Sequence, residues 1–291
     1  MDETVQQAPL PGATPADAPA RPPSRAGRDL GAAIAVGVGL GAVVIATLVL
    51  YPRGFIAIVA LAVLVSLWEL IRALESDRTR LPVVPLTAGS IALLVLAATR
   101  GADGLVVGFM LTVLACAVWR LAEGSEGYLR DVGASVFVAA YLPLLAGFAV
   151  LLVLPDDGAW RVAAFVVCVV CSDVGGYAAG VLLGRHPMAP SISPKKSWEG
   201  FAGSLALAGL AGALLVTLGL GGQVWQGIVF GMAVAAVATL GDLGESMIKR
   251  DLGIKDMGSL LPGHGGLMDR MDSLLPAAAV SWILLTAFVP V

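Results

Sequence analysis

The chain has 291 residues, of which 58% are hydrophobic and only 13% charged, with a formal net charge of -3. A soluble domain carries about 25% charged residues, so this balance excludes a water-soluble fold, a disordered chain and a nucleic-acid binder. What remains is an integral membrane protein, and its 36 glycines suit helices whose backbones approach closely in lipid. Cys116, Cys168 and Cys171 lie in apolar runs without metal-ligand spacing and read as small buried hydrophobes.

Residues 1–29 are rich in Pro and Ala, carry Asp2 and Glu3 and have no apolar core, so they read as a disordered cytoplasmic tail. Allowing about 20 apolar residues per crossing, the rest offers about nine transmembrane helices, at roughly 30–50, 54–74, 82–99, 103–120, 132–154, 160–182, 200–219, 224–243 and 273–290. The runs are continuous rather than alternating, which favours helices over barrel strands. The third and fourth are short and crowded by Pro82, Pro85, Arg100 and Asp103. Pro143 and Pro276 lie inside spans and should bend them. The expected fold is an all-α polytopic membrane protein, with N-terminal transmembrane helices over 30–154 and a catalytic transmembrane region over 155–291.

If the tail and every second loop share one side, that side holds all the Lys and Arg except Arg53, Arg100 and Arg161, which is fifteen of 18. The positive-inside rule makes it the cytoplasmic side and, with an odd number of spans, puts Val291 outside. The two long, chemically dense loops, near 183–199 and 244–272, fall on the cytoplasmic side. A polar active-site cavity facing the cytoplasm is therefore expected.

Asp173 stands well inside the sixth span, where an ionised carboxylate needs a cation, a proton or a polar cavity. The loop after it carries Arg185, His186, Ser193, Lys195, Lys196 and Ser197. It reads as a phosphate clamp or as an anchor for anionic lipid. It is not a Walker A loop, because the glycine spacing is missing. Should the eighth helix continue to Asp251, then Asp242, Glu245, Ser246 and Lys249 share one face. Arg250, Lys255 and Asp256 follow, then a turn containing Pro262, His264, Gly265 and Gly266, then Asp269, Arg270 and Asp272. Carboxylates from different helices beside Lys and Arg describe a Mg²⁺–polyphosphate site, with hard oxygens for the metal and cations for the phosphoryl charge.

These residues resemble the signature of the bacterial phosphatidate cytidylyltransferase (CDP-diacylglycerol synthase) family. Ser246, Lys249-Arg250, Lys255-Asp256, Pro262, His264-Gly265-Gly266, Asp269-Arg270 and Asp272 match it at every position. Asp173 with Tyr177 and Gly180, and the run Ser193 to Gly200, match it upstream. Val174 and Lys195 are mild departures, and the second adds a charge. The resemblance covers about 170–275, while the earlier helices match only in hydrophobic character.

The resemblance implies transfer of the cytidylyl group of CTP to phosphatidic acid at a membrane surface, giving CDP-diacylglycerol and pyrophosphate. It implies Asp242 and Asp269 as the main Mg²⁺ ligands, with Asp173, Glu245 and Asp272 as further candidates and Mn²⁺ as a substitute metal. Lys249, Arg250, Lys255 and Arg270 would neutralise phosphates. Arg185, Ser193, Lys195, Lys196, Ser197, Ser246, His264, Gly265 and Gly266 would bind substrate. A homodimer, a second, monovalent cation such as K⁺ and a place in the bacterial inner membrane are implied too. The alternatives are a cytidylyltransferase or kinase for another lipid or isoprenoid phosphate, a transporter, and a membrane scaffold. The transporter reading lacks evident repeats, and nothing in the sequence names a cytosine-reading residue.

Overall fold

The structure is a computed structural model, and it describes residues 30–75, 79–258, 260 and 265–290. The tail expected over 1–29, and His264 in the glycine turn, lie outside the described residues. Apolar runs become helices throughout, because in lipid a backbone must satisfy its own hydrogen bonds. They are α1 (Leu30–Leu50), α2 (Phe55–Glu75), α3 (Val83–Ala122), α4 (Tyr128–Ala139), α5 (Leu145–Val153) and α6 (Gly158–Leu183). A short antiparallel hairpin follows, β1 (Pro187–Ala189) and β2 (Ser193–Ser197). Then come α7 (Trp198–Leu220), α8 (Val224–Asp251), α9 (Met268–Met271) and α10 (Leu274–Phe288). Among the described residues, seven helices are long and apolar enough to cross a membrane, and Gly41–Leu50 is a shorter apolar one. The protein is thus all-α and polytopic, with one small hairpin beside the site.

The third and fourth expected spans lie within α3, 40 residues long, which turns at Gly101 (φ 65°, ψ -143°). Only glycine adopts that backbone without strain. Beyond it the chain doubles back. A Cβ on Gly108 would stand 2.6 Å from Leu93 Cα, and one on Gly89 2.5 Å from the Thr112 side chain. Pro143 sits in a π-helical turn, Ala140–Leu144, that joins α4 to α5. A proline cannot close the ordinary helical hydrogen bond, and the wider turn absorbs the mismatch. Pro276 falls in the first turn of α10, where its missing N–H costs little.

Helices α6, α7 and α8 form the tightest part of the bundle. A Cβ on Gly175 of α6 would stand 2.5 Å from Gly203 O of α7, and one on Gly212 of α7 3.0 Å from Gly231 Cα of α8. Without side chains at these positions the backbones meet directly, the usual route to helix association in lipid. Leu182, Leu218 and Val49 point outward, while Leu67, Leu93, Leu142 and Leu275 are buried between helices. This frame holds the ends of α6, β2 and α8 side by side.

Candidate active site

Helix α8 runs unbroken through Asp242, Glu245, Ser246 and Lys249 to Asp251, and α9 begins at Met268. The condition for Asp242, Glu245, Ser246 and Lys249 to share one face is therefore met. Asp242, Ser246 and Lys249 of α8, Asp269 of α9 and Asp272 just after it line a common cavity of about 950 Å³. Asp173, Ser193, Lys195, Asp242, Ser246, Lys249, Arg250, Lys255, Asp269, Arg270 and Asp272 line it. Residues that are distant in sequence converge there.

A second cavity of about 290 Å³ adjoins the first. The two share Asp173, Lys195, Asp242 and Ser273. The smaller one adds Lys196 and Ser197 to side chains of different character: Tyr177, Met188 and Phe201. One cavity is thus ringed by charge, and the other joins charge to an apolar wall.

Ion pairs order the charged wall. Lys196 Nζ lies 2.7 Å from Asp242 Oδ2 and also donates to Thr239 O. Lys249 Nζ bridges Glu245 Oε2 at 2.7 Å and Asp269 Oδ1 at 2.8 Å. Ser246 Oγ donates to Asp242 Oδ1 at 3.4 Å. Asp269 Oδ2 accepts the amides of Met257 (3.0 Å) and Gly266 (2.8 Å), and Gly265 lies against the same carboxylate. Asp173 lies within Coulomb range of Asp242, Asp272, Lys196 and Arg270. Lys195, Arg250 and Lys255 carry their charges into the cavity without an ion-pair partner among the described residues. Such cations need an anion, and the cavity is where one would be met.

Other expected site residues stand elsewhere. Arg185 is exposed and lines neither cavity; its amide and that of His186 donate to Glu199 Oε2. The Ser197 hydroxyl caps α7 by accepting the Gly200 amide at 3.1 Å, while still edging the smaller cavity. Glu245 is fully buried behind the lining, held by Lys249. Gly266 supports Asp269 rather than facing the cavity. Two residues were missed. Asp256 lines the larger cavity, and the buried Glu69 of α2 accepts the Met268 amide at 2.8 Å. Glu69 could have been flagged by the rule that singled out Asp173, an acid within an apolar span.

Asp173, Asp242, Asp269 and Asp272 give the cavity an all-oxygen donor set, the kind Mg²⁺ takes. Among the described residues no three such side chains are drawn together as a metal cluster, since lysines hold Asp242 and Asp269. The donor chemistry fits a metal that shares its coordination with a ligand's oxygens.

A cytidylyltransferase family model matches residues 31–288, nearly the whole length. The chain belongs to the cytidylyltransferase family. It is 49% identical over 281 residues to a phosphatidate cytidylyltransferase of Mycobacterium bovis, covering 92% of each chain. It is 48% identical to that of Mycobacterium leprae, over 90% of this chain and 89% of the relative. With the Helicobacter pylori phosphatidate cytidylyltransferase the match is 43% over 133 residues, or 46% of this chain and 50% of the other. Within the family the likeness to the mycobacterial proteins therefore extends to the N-terminal helices, where the signature motifs are absent.

Proposed function

We propose that this protein transfers the cytidylyl group of CTP to phosphatidic acid, forming CDP-diacylglycerol and pyrophosphate. The observation that carries the reading is the shared wall of Asp173, Lys195, Asp242 and Ser273 between a charged cavity and a part-apolar one. The larger cavity takes the triphosphate, and the smaller takes the lipid phosphate and the start of its acyl chains. A phosphatidate oxygen attacks the α-phosphorus, the bond to the bridging oxygen of pyrophosphate breaks, and pyrophosphate leaves. The attacking phosphate is already an anion, so no serine–histidine–acid triad is needed. The protein's work is to bring two anions together and neutralise them.

Lys195, which lines both cavities, would contact both phosphates. Arg250, Lys255 and Arg270 neutralise the triphosphate, and Lys196 and Lys249, paired with Asp242 and Asp269, add positive charge beside it. Asp242 and Asp269 would hold Mg²⁺ or Mn²⁺, with Asp173 and Asp272 nearby and Glu245 supporting from behind. The metal, when bound, would screen the phosphate charges and stabilise the departing pyrophosphate. His264 and the glycines after it would shape the turn beside these phosphates, and Ser193 and Ser246 would donate to them.

In the same reading the two halves of α3 cross separately, giving nine crossings with the N-terminus and the cavity cytoplasmic and the C-terminus outside. Residues 30–154 form a supporting region and 155–291 the catalytic one, in a bacterial inner-membrane homodimer with a second, monovalent cation.

The test is incorporation of ³²P from α-labelled CTP into chloroform-soluble product by the detergent-purified protein, with phosphatidic acid and Mg²⁺. Lipid-soluble label that depends on both is expected. Label appearing equally with another lipid phosphate or with ATP would overturn the substrate assignment.

A further inference from the structure

Glu69 is a carboxylate within an apolar helix that the reaction as described does not use. It is 1% exposed and lines neither cavity. Its Oε2 accepts the Met268 amide, and its Oε1 has no hydrogen-bond partner among the described residues. Backbone rather than side chain surrounds it. Gly258 leaves no room for a Cβ beside Oε1, and one on Gly266 would stand 2.7 Å from Oε2. Leucine or methionine would serve helix packing at this place without the cost of burying an acid.

The same two stretches of backbone are held from the other side by Asp269. Its Oδ2 takes the amide of Met257, next to Gly258, and the amide of Gly266 itself. Met268, whose amide Glu69 accepts, immediately precedes Asp269. About one turn back on α2, Ser66 Oγ donates to Met271 Sδ at 3.3 Å, a second tie between α2 and α9. Residues 257–258 and 266–269 are therefore gripped by one carboxylate at the cavity and by another behind it.

We infer that Glu69 is a positioning residue, which fixes the backbone at Gly258, Gly266 and Met268 from the N-terminal helices and thereby aims Asp269 into the cavity. Its burial keeps it from substrate, so it acts through Asp269. The inference rests on the cytidylyl-transfer reading only for its kinetic consequence; the ordering of this backbone stands apart from it.

The experiment compares full-length, detergent-purified wild type, E69Q, E69A, G258A and the double variant E69A/G258A. Hydrogen–deuterium exchange at Met257, Gly266 and Met268, without nucleotide, reads this backbone. Exchange there is expected to accelerate in E69A and to stay slow in E69Q, whose amide oxygen still accepts the Met268 N–H. In the labelled-CTP assay E69A is expected to lose about a hundredfold in kcat, the scale of a misplacement near 1 Å, and E69Q to recover most of it. G258A crowds Oε1 and should lower kcat alone, yet add nothing to E69A, where that oxygen is gone. Unchanged exchange in E69A, equal losses in E69Q and E69A, or additive losses in the double variant would each overturn the inference. If E69A does not fold, E69Q and G258A still decide it. If wild type transfers no label, the exchange result stands and the reaction assignment alone fails.

Discussion

Arg120 and Asp131, where α3 meets α4, pair at 2.8 Å with side chains 1% and 0% exposed; Lys196 and Asp242, where β2 meets α8, pair at 2.7 Å with side chains 22% and 41% exposed. The contacts are alike and the surroundings opposite. Asp131 also accepts the Arg80 amide and Arg130 Nε, and Arg120 reaches Glu123 and the Glu126 carbonyl. Protein groups surround both charges of that cluster, which ties the α2–α3 and α3–α4 loops to α3 and α4. Asp242 instead borders both cavities and Lys196 the smaller one, beside Lys195, Arg250 and Lys255, which have no ion-pair partner among the described residues. A closed ion pair holds a fold, whereas an open one retains capacity for something that arrives.

The comparison is broken most strongly at the open cluster. D242N and D269N should each lower label incorporation by about a hundredfold or more while thermal stability holds, because they remove carboxylates that the proposed reaction uses. Chelation with excess EDTA should stop incorporation to a similar degree, and added Mg²⁺ should restore it; activity surviving chelation would remove the metal from the reading. At the closed cluster the loss falls on stability. R120M leaves Asp131 buried beside one fewer cation and should cost about 3–5 kcal/mol, read as a lowered unfolding midpoint, with R120M/D131L recovering much of it. K195Q should raise KM for either substrate about tenfold and leave the midpoint alone, the effect of losing one charge-assisted contact. R130A is the mildest change. Arg130 is exposed, and the loss should stay within about 1 kcal/mol.

Most of the architecture is legible in the chain because a bilayer enforces one rule, that apolar runs become helices. The continuation of α8 through Asp242 and Lys249 follows from side-chain spacing, and that spacing delivers the charged wall. Other features depend on contacts that no local pattern carries. Arg185 and Ser197 look like phosphate ligands by residue type, yet Arg185 is exposed and lines neither cavity, and the Ser197 hydroxyl caps α7. Glu69 meets Met268 across 199 positions, so its partner is set by how α2 packs and not by its neighbours in the chain. The reversal at Gly101 is hidden for a related reason. Arg100, Gly101 and Ala102 resemble a short break between two spans, and only the Leu93–Gly108 contact reveals the tight corner.

That corner bears on how the protein is made. A single residue between the halves of α3 gives no loop in which one segment could wait on the far side for the other. On the nine-crossing reading proposed above, the halves would enter the membrane together, as a pair packed through Gly89 and Gly108. Arg100 and Asp103, flanking the corner, would then be carried across the membrane as a unit, with the paired helices shielding each other's backbone on the way.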